Sequence, residues 1–184
     1  YLCRVCKTKK NMSLISYLKF LIKSTNQHGV HSPFIYNFVT RCLYNKQLVN
    51  RQEIKGFPPT LSKRQLVLLL KIIRYLEVKT IFTDEDMLNS ITAIKETCNI
   101  SFQLQPSVTY DLLFINYPKE DLSIYLNYMH NDSILIINNI YQKEKASLWQ
   151  ALTANERVTV YIDVYSQGYI FIRREQGKEG FYIR

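Results

Sequence analysis

Acidic side chains are almost absent from the first 79 residues of this 184-residue chain, where only Glu53 and Glu77 face 15 Lys and Arg. That front part carries 15 − 2 = +13, whereas residues 80–184, with 9 Lys/Arg and 13 Asp/Glu, carry 9 − 13 = −4. The imbalance points to an acidic partner met through residues 1–79, to nucleic acid, or to a solvated basic face partly matched by the chain's own acidic half. No recognisable nucleic-acid motif accompanies the charge. The 14 Tyr and 9 Phe alone are weak grounds for base stacking.

Long apolar runs are missing too. The richest, LVLLLKIIRYL, is broken by Lys71 and Arg74, so no membrane span is expected. SLISYLKFLIKS is interrupted by Lys19 and lacks a small-residue cleavage site, which argues against a signal peptide. Cysteine is sparse: Cys3, Cys6, Cys42 and Cys98. Cys3-x-x-Cys6 could be half of a zinc site, but no second Cys/His pair stands at usable spacing, so no metal is expected. A reduced, cytoplasmic protein is the simplest reading. With 47% apolar and 21% charged residues the chain should fold, and its length fits one domain.

Met12 opens an amphipathic segment, so residues 1–11 read as an upstream extension and 12–78 as a helical N-terminal section. Leu14, Ile15, Leu18, Leu21 and Ile22 fall at helical spacing, and this helix should stop near Thr25-Asn26. Ser32-Pro33 starts a second helix over about 33–44, and Ser62-x-x-Gln65 is a capping-box pattern ahead of a third over about 62–76. From residue 79 the rhythm changes. The stretches KTIFT, ISFQL, DLLFIN, SILIIN, VTVYIDV and GYIFIRR read as strands, with helices over DEDMLNSITAIKETC, DLSIYLNYM and KEKASLWQAL. His130-Asn131-Asp132 reads as the turn before SILIIN, and Trp149 as a packing residue. Continuous apolar strands alternating with helices predict a mostly parallel sheet covered on both faces over 79–184. The short turn at Tyr165-Ser166-Gln167-Gly168 makes the last two strands an antiparallel hairpin.

This layout resembles the class I S-adenosylmethionine-dependent methyltransferases, a Rossmann-like α/β fold. At the level of motifs the chain is similar to a small methyltransferase-like family of Bacteroidetes. The resemblance rests on Lys23 to Phe34, KSTNQHGVHSPF, on HNDSILIINNIY at 130–141, and on VTVYIDVYSQGYIFIRREQ at 158–176. It implies a cofactor cleft at the carboxyl ends of three strands. Here glycine, only five in the chain, is missed most. The first strand end is TIFTDEDMLNS, where such a cleft needs small residues so that backbone can approach the cofactor; Thr83-Asp84-Glu85-Asp86 stand there instead. Those acids suit the first turn of a helix. Only 25 residues separate Asp84 from Tyr110, so a helix–strand unit that the resemblance implies is missing. The later strand ends carry Asn116, Asn138 and Asn139 where the resemblance implies acids, and an amide can neither take a proton nor supply charge to a hard cation. Read structurally, the asparagines cap helices and satisfy loop backbone.

The expectation is therefore a shortened, degenerate methyltransferase-like protein, a pseudoenzyme whose vestigial cleft holds Thr83, Asp84, Asn116, Asn138 and Asn139. No S-adenosylmethionine would bind, and a binding or regulatory role would remain. The alternatives are an active small-molecule O-methyltransferase that uses S-adenosylmethionine through another loop, and nucleic-acid binding through the basic half. His28 and His31, three apart around Gly29, read either as pocket residues or as a helix stop and a residue near the next N-cap.

Overall fold

The computed structural model describes residues 14–25, 32–54, 61–84, 94, 96–118 and 121–184. His28, His31, Cys3, Cys6, Glu85, Asp86 and most of the helix expected over DEDMLNSITAIKETC lie outside them.

The N-terminal helices begin where the polar signals stand. α1 spans Leu14–Lys23. α2, Pro33–Asn37, starts with Ser32 Oγ accepting from Ile35 N at 3.4 Å and Pro33 in its first turn. It continues not as α-helix but as a π-helical stretch, Phe38–Leu43, in which Phe38, Val39, Cys42 and Leu43 are buried. α3, Lys63–Tyr75, carries the capping box in full: Ser62 Oγ accepts from Gln65 N at 3.3 Å, and Gln65 Oε1 from Ser62 N at 3.0 Å.

Seven strands form one sheet: β1 (Thr80–Thr83), β2 (Asn99–Ser101), β3 (Tyr110–Ile115), β4 (Met129–Asn138), β5 (Val160–Asp163), β6 (Gln167–Phe171) and β7 (Glu179–Tyr182). Their order is β2-β1-β3-β4-β6-β5-β7, and β6 alone runs against the others. Among the described residues no strand lies outside the three-residue edge strand β2, so the sheet is short on that side.

Side chains alternate between two layers, as the pleat requires. Leu112, Phe114, Ile134, Ile136, Ile162 and Phe171 join α2, the π stretch and α3 in one core. Leu113, Ile115, Leu135, Ile137 and Ile170 join Leu122, Leu126, Trp149 and Leu152 in the other. α4, Lys143–Ala154, brings Trp149 over Gly168, where a Cβ would sit 2.5 Å from the indole; only glycine fits beneath that ring.

Three local expectations change. The segment expected as a helix over DLSIYLNYM is 3₁₀, Leu122–Tyr128, because the Asp121 carboxylate draws Ser123 N (2.8 Å) and Ser123 Oγ (2.7 Å) into a tight turn. His130-Asn131-Asp132 belongs to β4 rather than to a turn, at an irregularity in its pairing with β3. There Ser133 Oγ donates to Tyr110 O at 2.6 Å, and His130 Nε2 lies 3.0 Å from Asp111 Oδ1. The chain's last residues add β7, parallel to β5, and Thr25 N donates to Tyr182 O at 2.7 Å, tying the end of α1 to it.

Candidate functional site at the strand ends

The chain leaves β1 for β2 on one side and returns to β3 on the other, so the order reverses between β1 and β3. In an open α/β sheet that reversal opens a crevice beyond the carboxyl ends of the strands. Thr83, Asp84, Asn116, Asn138 and Asn139 all gather at this end, and the residues of the strand ends hold one another.

Asp84 reaches across the reversal. Its Oδ1 accepts from Asn116 N at 2.7 Å and its Oδ2 from Tyr117 N at 2.6 Å. The carboxylate thus occupies the two backbone donors that open the β3 loop. Burial pushes the Asp84 carboxyl above its ordinary range, opposed by those two amides and by the charge of Lys145. The helix whose dipole Asp84 was expected to serve lies outside the described residues.

Lys145 projects from the first turn of α4 and is buried. Its Nζ donates to Asn116 O at 2.5 Å and Asn138 O at 3.0 Å, fastening the ends of β3 and β4 together. Burial lowers its pKa, while Asp84 and Glu144 raise it. Sequence reasoning missed Lys145. A cation in the first turn sits at the unfavourable end of the helix dipole, which is the signal that it answers to something else.

The asparagines do not cap α4, whose N-cap position is Gln142. Asn138 is buried; its Oδ1 accepts from Gln167 Nε2 at 2.7 Å, and its Nδ2 points to Asn116 Oδ1 at 3.4 Å. Gln167 Oε1 in turn accepts from the buried Tyr169 hydroxyl at 3.0 Å. Asn139 adopts φ 55°, a left-handed conformation that asparagine tolerates better than most residues. Its amide donates to Ser166 O at 2.8 Å, and its Oδ1 accepts from Gln65 Nε2 at 2.8 Å, so α3 is bound to the turn after β4. Thr83 is fully buried, in register with Phe114. No glycine stands between Gly56 and Gly168, so every one of these strand ends carries a side chain.

A second polar cluster lies beyond β5. Asp163, 1% exposed, accepts from the Tyr141 hydroxyl and from Tyr165 N, both at 2.7 Å. Burial pushes its carboxyl up to about 6, against the Tyr141 and Tyr165 hydrogen bonds and the charge of Lys23. Tyr17, Phe20, Tyr141, Tyr165 and Tyr182 pack ring against ring around it, seating α1 on the sheet end. These tyrosines serve packing. Among the described residues no group of three or more His, Cys, Asp or Glu is placed to hold a metal ion, and Cys42 and Cys98 are free and buried. Burial pushes the Cys42 thiol up to about 12, far from a reactive thiolate.

No helix among the described residues is long and apolar enough to cross a membrane. No family profile matches the chain, and no curated protein matches it. Among solved structures, the crystal structure of a "putative O-methyltransferase" from Klebsiella pneumoniae is similar, with 13% identity and a TM-score of 0.45, over 86% of this chain and 96% of that one. So distant a likeness leaves the question of function to the residues at the strand ends.

Proposed function

We propose that the chain is a degenerate member of the Bacteroidetes methyltransferase-like family, one that no longer binds S-adenosylmethionine or transfers methyl groups and acts instead as a binding or regulatory protein in the cytoplasm. The observation that carries this reading is the Asp84 carboxylate lying across the β1–β3 reversal on Asn116 N and Tyr117 N. A cofactor seated there would have to displace a charge-assisted pair of bonds and approach a turn without glycine. In this reading the residues do not fit the cofactor, since Asn116 and Asn138 spend their carbonyls on Lys145 and offer amides where a base would need acids. The basic residues 1–79 then supply the surface for an acidic partner.

Isothermal titration calorimetry with S-adenosylmethionine and S-adenosylhomocysteine tests this directly. No heat of binding is expected at ligand concentrations up to the millimolar range, and micromolar affinity for either compound would overturn the proposal.

A further inference from the structure

A cavity of about 340 Å³ opens on the helical side of the sheet, away from the β1–β3 reversal. That volume lies at the small end of the range for small-molecule sites, about 300–1,000 Å³. One wall is a single face of α3, formed by Lys63, Arg64, Val67, Leu68 and Lys71. The opposite wall comes from the end of the π stretch and from the residues that follow β5 and β7, including Val164, Ile183 and Arg184.

Two observations give the cavity a sign. Its lining contains four cations, Lys63, Arg64, Lys71 and Arg184, and no acidic side chain. Among the described residues, no carboxylate pairs with any of the four. Independently, Lys71 is 7% exposed, and among the described residues its ammonium donates only to the neutral carbonyl of Leu43, at 2.7 Å. A buried ammonium facing one neutral acceptor is under-compensated, because burial penalises charge that no counter-charge meets. An anion entering the cavity would supply that counter-charge, while Val67, Leu68, Val164 and Ile183 offer only apolar contact.

We infer that this cavity binds a small amphiphilic anion, its apolar body between α3 and the ends of β5 and β7 and its carboxylate, or a comparable acidic head, against Lys71 and the Lys63–Arg64 rim. The site is separate from the strand-end cleft and does not depend on whether that cleft has lost its cofactor.

The test uses decanoate below its micellar concentration, with decanol as the neutral control, followed by methyl NMR of the whole chain. Decanoate should shift the methyl signals of Leu43, Val67, Leu68, Val164 and Ile183 saturably. Decanol should bind more weakly. Changing Lys63→Gln and Arg64→Gln together, both exposed, should weaken decanoate by about fivefold, in line with the loss of two exposed charge contacts. Val67→Phe, which fills the cavity from its half-buried wall, should abolish the shifts while the remaining spectrum stays folded. The inference is overturned if no methyl moves, if decanol binds as tightly as decanoate, or if the shifts fall instead on the exposed Leu14, Ile15, Leu18 and Ile22 of α1.

Discussion

Lys145 and Asp84 show how single side chains close the strand ends. The ammonium satisfies two carbonyls from different strands, and the carboxylate satisfies two amides of the β3 loop. Lys145→Met keeps the length and apolar stem but removes the ammonium from Asn116 O and Asn138 O and its charge from beside Asp84. Urea unfolding should register a loss on the order of 3 kcal/mol. Asp163 gives a pH signature of definite sign. Its folded-state carboxyl titrates at about 6 against an ordinary 3.8, so between those values the native state holds a proton that the unfolded chain has released. Its contribution to stability is present at pH 4 and is lost as pH rises through about 6. Asp163→Asn keeps hydrogen bonds to Tyr141 and Tyr165 available without the titration. The melting temperature of this variant relative to the wild type should therefore climb from pH 4 to 6 and level off above; a constant difference across that range would refute the assignment.

At the scale of elements, the start of α3 does two jobs. Ser62 and Gln65 form the capping box, and Gln65 Nε2 also reaches Asn139 Oδ1 and Ser166 O. Ser62→Ala should cost about 1 kcal/mol by thermal or chemical unfolding, the usual worth of an N-cap. Gln65→Ala should cost more than Ser62→Ala, since it also releases the turn after β4; equal losses would mean that the link to Asn139 is incidental. The box was legible in the sequence because capping is local, a matter of side chains three residues apart. The π stretch and the 3₁₀ segment at Leu122–Tyr128 were not legible. Both replace an expected α-helix, the second where the Asp121 carboxylate tightens the turn.

Across the whole molecule, the sheet has a strong middle and a weak edge. β3 and β4 are flanked on both sides and buried on both faces, whereas β2 is a three-residue edge with partly exposed side chains. Native-state hydrogen exchange should find the slowest amides in β3, β4 and β6 and markedly faster exchange in β2. Slow exchange in β2 would mean that another part of the chain or a partner covers that edge. At the opposite side β7 adds a strand to β5, and the Thr25 N to Tyr182 O bond couples the N-terminal helix to it. Front and back of the chain thus meet at one sheet end, where the aromatic rings around Asp163 pack.

The sequence by itself determined what depends on neighbours along the chain. The buried strands, the antiparallel β5–β6 turn, the caps at Ser32 and Ser62, the short stretch before Tyr110 and the lack of glycine at Thr83-Asp84 were all readable from spacing and residue type. Tertiary structure alone decided where the polar groups at the strand ends spend their hydrogen bonds. Asp84 meets Asn116 and Tyr117 across 32 and 33 residues, Lys145 meets Asn116 across 29, and Gln65 meets Asn139 across 74. β7 likewise exists only because β5 presents an unpaired edge to a polar, half-exposed segment with little strand character of its own. A side chain's partner at such separations is fixed by the sheet that brings it close, and no local pattern encodes it.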